Sequence, residues 1–229
     1  MKVLGVITAR GGSKRLPGKN LADLGGRPLI AWTIEVALAT CDMVVVSTDS
    51  PDIKRVSLDL GATVIDRPQH LAQDSTPSLP VVVHAVKWAE EFHGPGAFDT
   101  VMVLQPTSPF RTREDVKAVL RIMELNNADA VVSVVERSVD GLFEIMPGGA
   151  MRGIPEEFLY ACNGAIYLVK AAQLANGDGF YDGKLYSYIM PIQRSLDIDT
   201  RADIDAARVM IGSNAEPRLF TNKKETSPV

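Results

Sequence analysis

Between Val3 and Val135, short apolar runs alternate with longer amphipathic stretches. Val3 to Ile7, Met43 to Ser47, Ala62 to Ile65, Thr100 to Leu104 and Ala130 to Val135 are runs bounded by turn residues, the pattern of strands buried on both faces. Between them, Pro28 to Ala39, Pro51 to about Leu60, Pro80 to Phe92 and Arg113 to Asn126 read as helices. Pro28 and Pro51 stand in the first turn, where proline is favoured, and Ser50 precedes Pro51 as an N-cap. Val116, Val119, Leu120 and Met123 fall at helical spacing. Strands alternating with helices predict an α/β fold: a three-layer, open, mostly parallel sheet with helices on both faces, Rossmann-like in outline. The crossovers of such units are right-handed, which gathers the strand C-termini on one edge. The polar loops Arg10 to Asn20, Thr48-Asp49 and Gln105 to Ser108 are therefore expected to meet in one cleft.

Periodicity weakens from Glu136 to Phe158, a stretch expected to form a hairpin arm or dimerisation flap. Asn163 to Leu168 then reads as a strand, Val169 to Leu174 as a short helix, Tyr188 to Pro191 as a strand and Arg201 to Ile211 as a last helix. The expectation is one domain over residues 1–212, with the flap at about 136–158 and a loose polar tail at 213–229.

The chain has 229 residues, enough for a substantial core, and its 46% hydrophobic and 23% charged content is that of a globular protein. A net charge of −4 argues against a nucleic-acid or membrane surface as the main partner. No apolar run reaches membrane-spanning length, and Met1-Lys2 leads directly into the first strand, so a cytoplasmic protein without a signal peptide is expected. Cys41 and Cys162 lack metal-type spacing and fit reduced thiols; His70, His84 and His93 form no ligand cluster, and His84 reads as a structural helix residue.

The first loop breaks this ordinary picture. Thr8 to Leu21 carries Gly11, Gly12 and Gly18, with Arg10, Lys14, Arg15 and Lys19 among them and Ser13 and Asn20 as neutral hydrogen-bonding groups. A flexible turn of backbone donors ringed with cations, at the end of a core strand, suits a polyphosphate. It is not a Rossmann fingerprint, for G-x-G-x-x-G is absent. Nor is it a Walker A loop, because Gly12 to Gly18 encloses five residues and ends in Lys19-Asn20.

Near the other end, Asp197 and Asp199 stand two apart, so in an extended segment their carboxylates share a face. Two hard oxygen donors suit Mg²⁺ shared with substrate phosphates. The same residues also fit a plainer role, with Asp199 or Thr200 capping the helix that follows and Asp197 exposed. A nucleoside triphosphate would need both the cationic loop and the divalent ion.

Ala9-Arg10-Gly11-Gly12-Ser13-Lys14 followed by Pro17-Gly18-Lys19-Asn20-Leu21 resembles the signature loop of the CMP-sialic acid synthetases, or acylneuraminate cytidylyltransferases. Ser47-Thr48-Asp49-Ser50, Arg67-Pro68 with Leu71-Ala72 and Asp74, and Leu104-Gln105-Pro106-Thr107-Ser108-Pro109 add to the resemblance. Asn163-Gly164-Ala165-Ile166-Tyr167 and Asp197-Ile198-Asp199-Thr200 complete it, in family order across nearly the whole chain. Lys19-Asn20 stands where the related Kdo enzymes typically carry Lys-Pro.

The resemblance implies a nucleotide-diphospho-sugar-transferase-like fold and attack of a nonulosonic acid's C2 hydroxyl on the α-phosphate of CTP, giving a CMP-sugar and pyrophosphate. It implies Mg²⁺ as cofactor, with Mn²⁺ a possible substitute, and a homodimer. Carried over by position, Arg10 and Lys19 would hold the triphosphate, with Ala9, Ser13 and the Gly11-Gly12 backbone beside it. Asn20, Arg67 and Ser78 would lie near the cytidine. Asp197 and Asp199 would bind the metal, Asp199 also helping to activate the hydroxyl. Gln105 and Tyr167 would line the sugar site, Arg152 would pair with the sugar carboxylate, and Phe180-Tyr181 would face the acyl group, unless those aromatics only pack the core. Family members often lend a basic residue from the flap to the neighbouring subunit, and Arg137 is the one nearby candidate. The same residues fit relatives acting on legionaminic, pseudaminic or ketodeoxynonulosonic acid or Kdo. From a different class they also fit a non-catalytic nucleotide-binding regulator.

Overall fold

The computed structural model describes residues 1–137, 143–153 and 159–212; the expected tail and parts of the expected flap lie outside the described residues. Among these, six parallel strands and one antiparallel strand form a single sheet. The strands are β1 (Val3–Thr8), β4 (Met43–Thr48), β5 (Thr63–Asp66), β6 (Thr100–Val103), β7 (Ala130–Arg137), β10 (Leu159–Lys170) and β11 (Leu185–Ile189), in the order β11-β7-β10-β6-β1-β4-β5. A two-stranded ribbon, β2 (Asp23–Leu24) with β3 (Arg27–Pro28), follows the first loop. A second, β8 (Phe143–Ile145) with β9 (Met151–Gly153), forms the arm between β7 and β10.

Alternation along each strand decides which helix it meets. Val3 and Ile7 of β1 face the same core as α1 (Leu29–Leu38), α2 (Pro51–Asp59) and α4 (Arg113–Asn126) through Ile30, Ile34, Ile53, Val116 and Val119. Leu4 and Val6 face the opposite core with α3 (Ser78–His93) and α5 (Ala171–Asn176) through Val82, Ala85 and Leu174. The last helix, α6 (Arg201–Gly212), packs Ile204 and Ala207 on Leu24, Leu29, Trp32 and Ile198 beside the sheet edge. Burial on both faces explains why the parallel strands read as unbroken apolar runs.

Two strands depart from the expectation. β10 starts at Leu159 and runs to Lys170, so Val169 continues the strand and the short helix begins only at Ala171. It is antiparallel because the arm returns the chain in hairpin fashion from the end of β7. Its register against β7 shifts between Cys162 and Tyr167, where the chain bulges. At the centre of the bulge, Gly164 takes φ 75°, and a Cβ there would stand 2.5 Å from the Gln105 amide oxygen, so only glycine fits. The Ser133 hydroxyl of β7 fills the gap, donating to Asn163 Oδ1 at 2.6 Å and accepting from the Ile166 amide at 2.8 Å. β11, at the edge, starts at Leu185 rather than near Tyr188.

Buried polar groups brace the loops at the C-terminal edge. Arg111 is 1% exposed, and its guanidinium donates to the carbonyls of Gln105 (2.8 Å), Ser108 (3.0 Å) and Ala165 (2.9 Å) and to the Thr33 hydroxyl (2.8 Å). Burial pushes its pKa down to about 9, still charged at neutral pH. Asp115 closes a capping box with Thr112 at the start of α4 and accepts from Tyr188 (2.7 Å) and, in bidentate fashion, from Arg194 (2.6 and 3.0 Å). Burial raises its carboxyl pKa, but the hydrogen bonds from Arg194, Thr112 and Tyr188 outweigh this and leave it below the usual value. The pair ties the segment leading to Asp197 onto α4.

The Asp115 contribution to stability is present above the unfolded-state pKa of about 4 and is lost as pH falls through the lower native value. Asp115→Asn is therefore expected to lower stability at neutral pH by about 1.5–3 kcal/mol. The gap in denaturant midpoint between parent and variant should close as pH is taken below about 4. A gap that persists undiminished in acid would show that the charge on Asp115 is irrelevant to the fold.

Candidate active site

The cationic loop leaves β1 at Thr8 and is pinned at once to its neighbour strand. The Ala9 amide donates to the Ser47 carbonyl (3.0 Å) and the Gly11 amide to Asp49 Oδ1 (2.8 Å). A Cβ on Gly11 would stand 2.8 Å from that of Ser50, so this approach requires glycine. The Gly11 amide is thus engaged by a carboxylate in this structure, whereas Gly12 faces open space. Gly18, at φ 68°, opens the 3-10 turn Lys19–Leu21, whose buried Asn20 side chain donates to the Arg10 carbonyl at 3.0 Å and closes the loop on itself.

That closure aims four cations outward at two carboxylates. Lys19 Nζ lies 2.8 Å from Asp199, and Arg15 lies 2.6 Å from the same group. Lys14 lies 2.5 Å from Asp74, which Arg10 also contacts. The hydrogen bond from Lys19 holds the Asp199 pKa below the usual value, and bonds from Lys14 and Arg10 do the same for Asp74. Arg10, Ser13, Lys14, Arg15, Lys19, Asp74 and Asp199 line a cavity of about 270 Å³. The loop near the amino end and the aspartates near the carboxyl end meet there.

The capping and site roles at the twin aspartates fall on different residues. Thr200 caps α6, with Asp203 Oδ2 accepting from the amides of Asp199 (3.0 Å) and Thr200 (2.7 Å). This leaves the Asp199 carboxylate free to face Lys19. Ile198, between the two, is buried, and its amide donates to the Thr107 carbonyl at 2.8 Å. Burial lifts the Asp197 pKa above the usual value; the Thr107 side-chain hydrogen bond opposes this, and the negative charge of Asp199 adds to it. Among the described residues, no group of three or more His, Cys, Asp or Glu side chains surrounds a common point.

Three further cavities continue around the edge. Thr8, Arg10, Arg67, Asp74 and Ser78 line one of about 220 Å³. Arg67 there is buried, donating to the Ser47 carbonyl at 2.8 Å, and burial lowers its pKa to about 10. Ser78, Leu79, Val103, Gln105, Tyr167, Phe180 and Tyr181 line an apolar one of about 290 Å³. The Phe180 and Tyr181 rings lie 5.5 and 6.3 Å from that of Tyr167. Phe180 also packs on the α3 side of the core, so it serves both purposes, whereas Tyr181 is largely exposed to the cavity. Gln105 and Tyr167 also belong to a cavity of about 610 Å³ with Arg137, Cys162, Asn163, Ser195 and Asp197. The Asn163 amide, set by the β10 bulge, donates to Ser195 Oγ at 2.9 Å and positions the strand of chain carrying Asp197.

One candidate stands apart. Arg152 is exposed on β9 of the arm and lines none of these cavities. Arg137 occupies the 610 Å³ cavity instead. Asp203, Ser133 and Ser195 had no signal in the sequence that separates them from ordinary polar residues, whereas Thr107, Asn163 and Asp74 were visible only as members of the matched motifs, with no role of their own.

A cytidylyltransferase family model matches residues 4–142. The CMP-N,N'-diacetyllegionaminic acid synthase of Legionella pneumophila is 35% identical over 231 residues, covering 94% of this chain and 99% of that protein. The N-acylneuraminate cytidylyltransferase of Escherichia coli O18:K1:H7 is 32% identical over 222 residues, covering 90% of this chain but 51% of that longer protein, so the chain spans about half its length. Among solved structures, CMP:2-keto-3-deoxy-manno-octonic acid synthetase complexed with CTP superposes with a TM-score of 0.70 at 20% identity, over 93% of this chain and 99% of that one. 4-Diphosphocytidyl-2C-methyl-D-erythritol synthase from Anaerococcus prevotii superposes with a TM-score of 0.64 at 14% identity, over 92% and 96%. At such identities these two establish the fold alone. The full-length match and the family model, falling on a chain whose cationic loop and twin aspartates close one cleft, establish that it belongs to the cytidylyltransferase family, on the branch of the CMP-sialic acid synthetases.

Proposed function

We propose that this protein joins CTP to a nonulosonic acid, forming a CMP-sugar and pyrophosphate. The observation that carries the reading is the meeting of Lys19 and Arg15 with Asp199 in a cavity continuous, through Arg10 and Asp74, with the one beneath Arg67. Arg10 and Lys19 bind the triphosphate and stabilise the charge that gathers on pyrophosphate as it leaves. Ser13 and the Gly12 backbone line the same phosphates, and the cytidine occupies the cavity of Arg67 and Ser78, with Asn20 shaping its wall from behind.

The sugar takes the two cavities that share Gln105 and Tyr167. Its N-acyl group meets Phe180 and Tyr181, and its carboxylate meets Arg137, the one arginine or lysine lining either cavity among the described residues. The C2 hydroxyl then attacks the α-phosphorus; the P–O bond to pyrophosphate breaks as the new one forms, and the hydroxyl proton passes toward Asp199. Both substrates are anions, so the loop's cations lower the barrier by offsetting repulsion and fixing an in-line approach.

Asp197 and Asp199 fit Mg²⁺: they are hard oxygen donors two residues apart, and burial first, with the charge of Asp199 adding to it, disfavours the ionised form of Asp197 in a way that a divalent ion would relieve. Mn²⁺ suits the same donors. When bound, the metal would neutralise phosphate oxygens beside the attacked phosphorus. The exposed Leu185 and Ile189 on edge strand β11, with Ile145 and Met151 on the arm, support a homodimer. Among the described residues no helix is long and apolar enough to cross a membrane.

Pyrophosphate release measured with CTP, Mg²⁺ and a panel of N-acetylneuraminic acid, N,N'-diacetyllegionaminic acid and Kdo tests the reaction. Release is expected with at least one nonulosonic acid, and silence with all three despite CTP binding would favour a regulatory nucleotide-binding role. In the active assay, Lys19→Ala should lower kcat by roughly 100- to 1,000-fold in a folded protein, the scale of one lost transition-state donor. Arg137→Ala should raise the KM for the sugar by tenfold or more, on the order of one lost charge-assisted contact. CTP affinity should hold; an unchanged sugar KM would move the carboxylate contact elsewhere, with Arg152 next to be tested.

A further inference from the structure

Asp74 is a carboxylate placed where the proposed function puts phosphate. It stands in the segment between β5 and α3, after the 3-10 turn Gln69–Leu71. Its two oxygens divide between Arg10 and Lys14, cations from a loop more than fifty residues away in sequence. It lines both the 270 Å³ cavity of the cationic loop and the 220 Å³ cavity of Arg67 and Ser78, so it sits on the line along which a nucleotide's phosphates would run. Asp199 neutralises the other two cations, Arg15 and Lys19, so each of the loop's four cations has a carboxylate partner. The two carboxylates differ in what else they do. Asp199 is fixed through its backbone by Asp203, beside Asp197. Among the described residues no backbone hydrogen bond anchors Asp74 in that way, and its side chain is about one-third exposed.

An ionised carboxylate in a phosphate site repels the ligand unless a cation stands between the two, and the cations that Asp74 contacts, Arg10 and Lys14, are ones the phosphates would themselves take. We propose that Asp74 is a stand-in for phosphate: it holds Arg10 and Lys14 in place while the site is empty, is displaced when a triphosphate arrives, and competes with pyrophosphate for the same cations once the products have formed. The proposal rests on the nucleotide reading of the cleft and assigns Asp74 a positioning role within it. A chain carboxylate tethered beside its cations competes at high effective concentration. A weakly charged ligand such as inorganic phosphate cannot displace it, whereas a polyphosphate engaging all four cations at once can. Asp74 thereby favours CTP over fragments of it and hastens the departure of pyrophosphate.

Isothermal titration of CTP, pyrophosphate, phosphate and cytidine into parent, Asp74→Asn and Asp74→Glu proteins tests this. Asn keeps the size and one acceptor but not the charge, and Glu restores the charge. Asp74→Asn is expected to bind pyrophosphate roughly three- to tenfold more tightly, the change expected from removing a tethered ion-pair competitor. Cytidine affinity should be unchanged, and Asp74→Glu should return pyrophosphate affinity toward the parent. In turnover, Asp74→Asn should lower the KM for CTP and strengthen product inhibition by pyrophosphate. If Asp74 only props the loop, its loss would weaken pyrophosphate binding, and that result, or no change, would overturn the proposal. Pyrophosphate and CTP bound by none of the three proteins would instead overturn the nucleotide reading itself, and this one with it.

Discussion

Lys19 and Asp199 are 180 residues apart in the chain and 2.8 Å apart in space. An ion pair at that range, with the lysine largely covered, cannot form unless both ends of the fold are placed independently of it. One end is set by β1, whose C-terminus delivers the cationic loop beside β4. The other is set by α6, whose capping turn presents Asp199 while its apolar face packs on Trp32 and Leu24. The pair is weak as a source of stability, since one partner remains two-fifths exposed. Its meaning is geometric. Cations that already face a carboxylate across a cleft need little reorganisation to face a polyphosphate instead, and preorganised charge is the main resource of phosphoryl-transfer catalysis.

The loops could not hold such positions by themselves, and the structure supplies supports one layer behind the cleft. Arg111 gathers the carbonyls of the Gln105–Ser108 turn and of the β10 bulge around one buried guanidinium. Asp115 draws Arg194 and Tyr188 onto α4. Ser133 and Asn163 convert the bulge into a bracket for Ser195. Each device fixes a segment that carries a cleft residue: Gln105 for the first, Asp197 for the second, and Tyr167 together with Asp197 for the third. A buried charge satisfied by several partners costs desolvation, so its yield in net stability is modest, but it tolerates few alternative arrangements. That trade suits an edge where loops from opposite ends of the chain must meet.

How much of this could be read beforehand follows from where each residue finds its partners. The parallel strands were legible because burial on both faces writes them as continuous apolar runs. β11 was displaced by three residues in the reading because its burial alternates without ever becoming complete, as befits an edge. β10 was cut short at both ends: Leu159 and Tyr160 are exposed, and the bulge interrupts its period. The Thr112-to-Asp115 capping box has a sequence signature, yet nothing near it announces Arg194, 79 residues on. Arg111 looks like any arginine in a turn, since its acceptors are the Thr33 hydroxyl and backbone carbonyls of its own turn and of β10. Arg152 illustrates the converse: its place depends on the arm's path, which sequence pattern does not encode, and it stands on β9 outside the four cavities.

The twin aspartates show how one short segment separates two chemical roles. Asp199 is held ionised by the Lys19 hydrogen bond, whereas Asp197, two residues earlier, is pushed toward its neutral form by burial and by the charge of Asp199 itself. Environments that drive paired carboxyls in opposite directions mark a division of labour. A group already ionised and hydrogen-bonded to a cation is suited to accept a proton only after that cation has moved to the phosphates, which makes its basicity contingent on nucleotide binding. A group whose charge is disfavoured in the empty cleft gains most from a nearby positive ion. Under the proposed function the segment is ordered in its demands: triphosphate first, to draw Lys19 away, and only then a second substrate whose hydroxyl can be deprotonated. An acidic sugar entering before CTP would meet the Asp197 and Asp199 charges with Arg137 as its one cationic partner in the cavity among the described residues, and that imbalance by itself disfavours the reverse order.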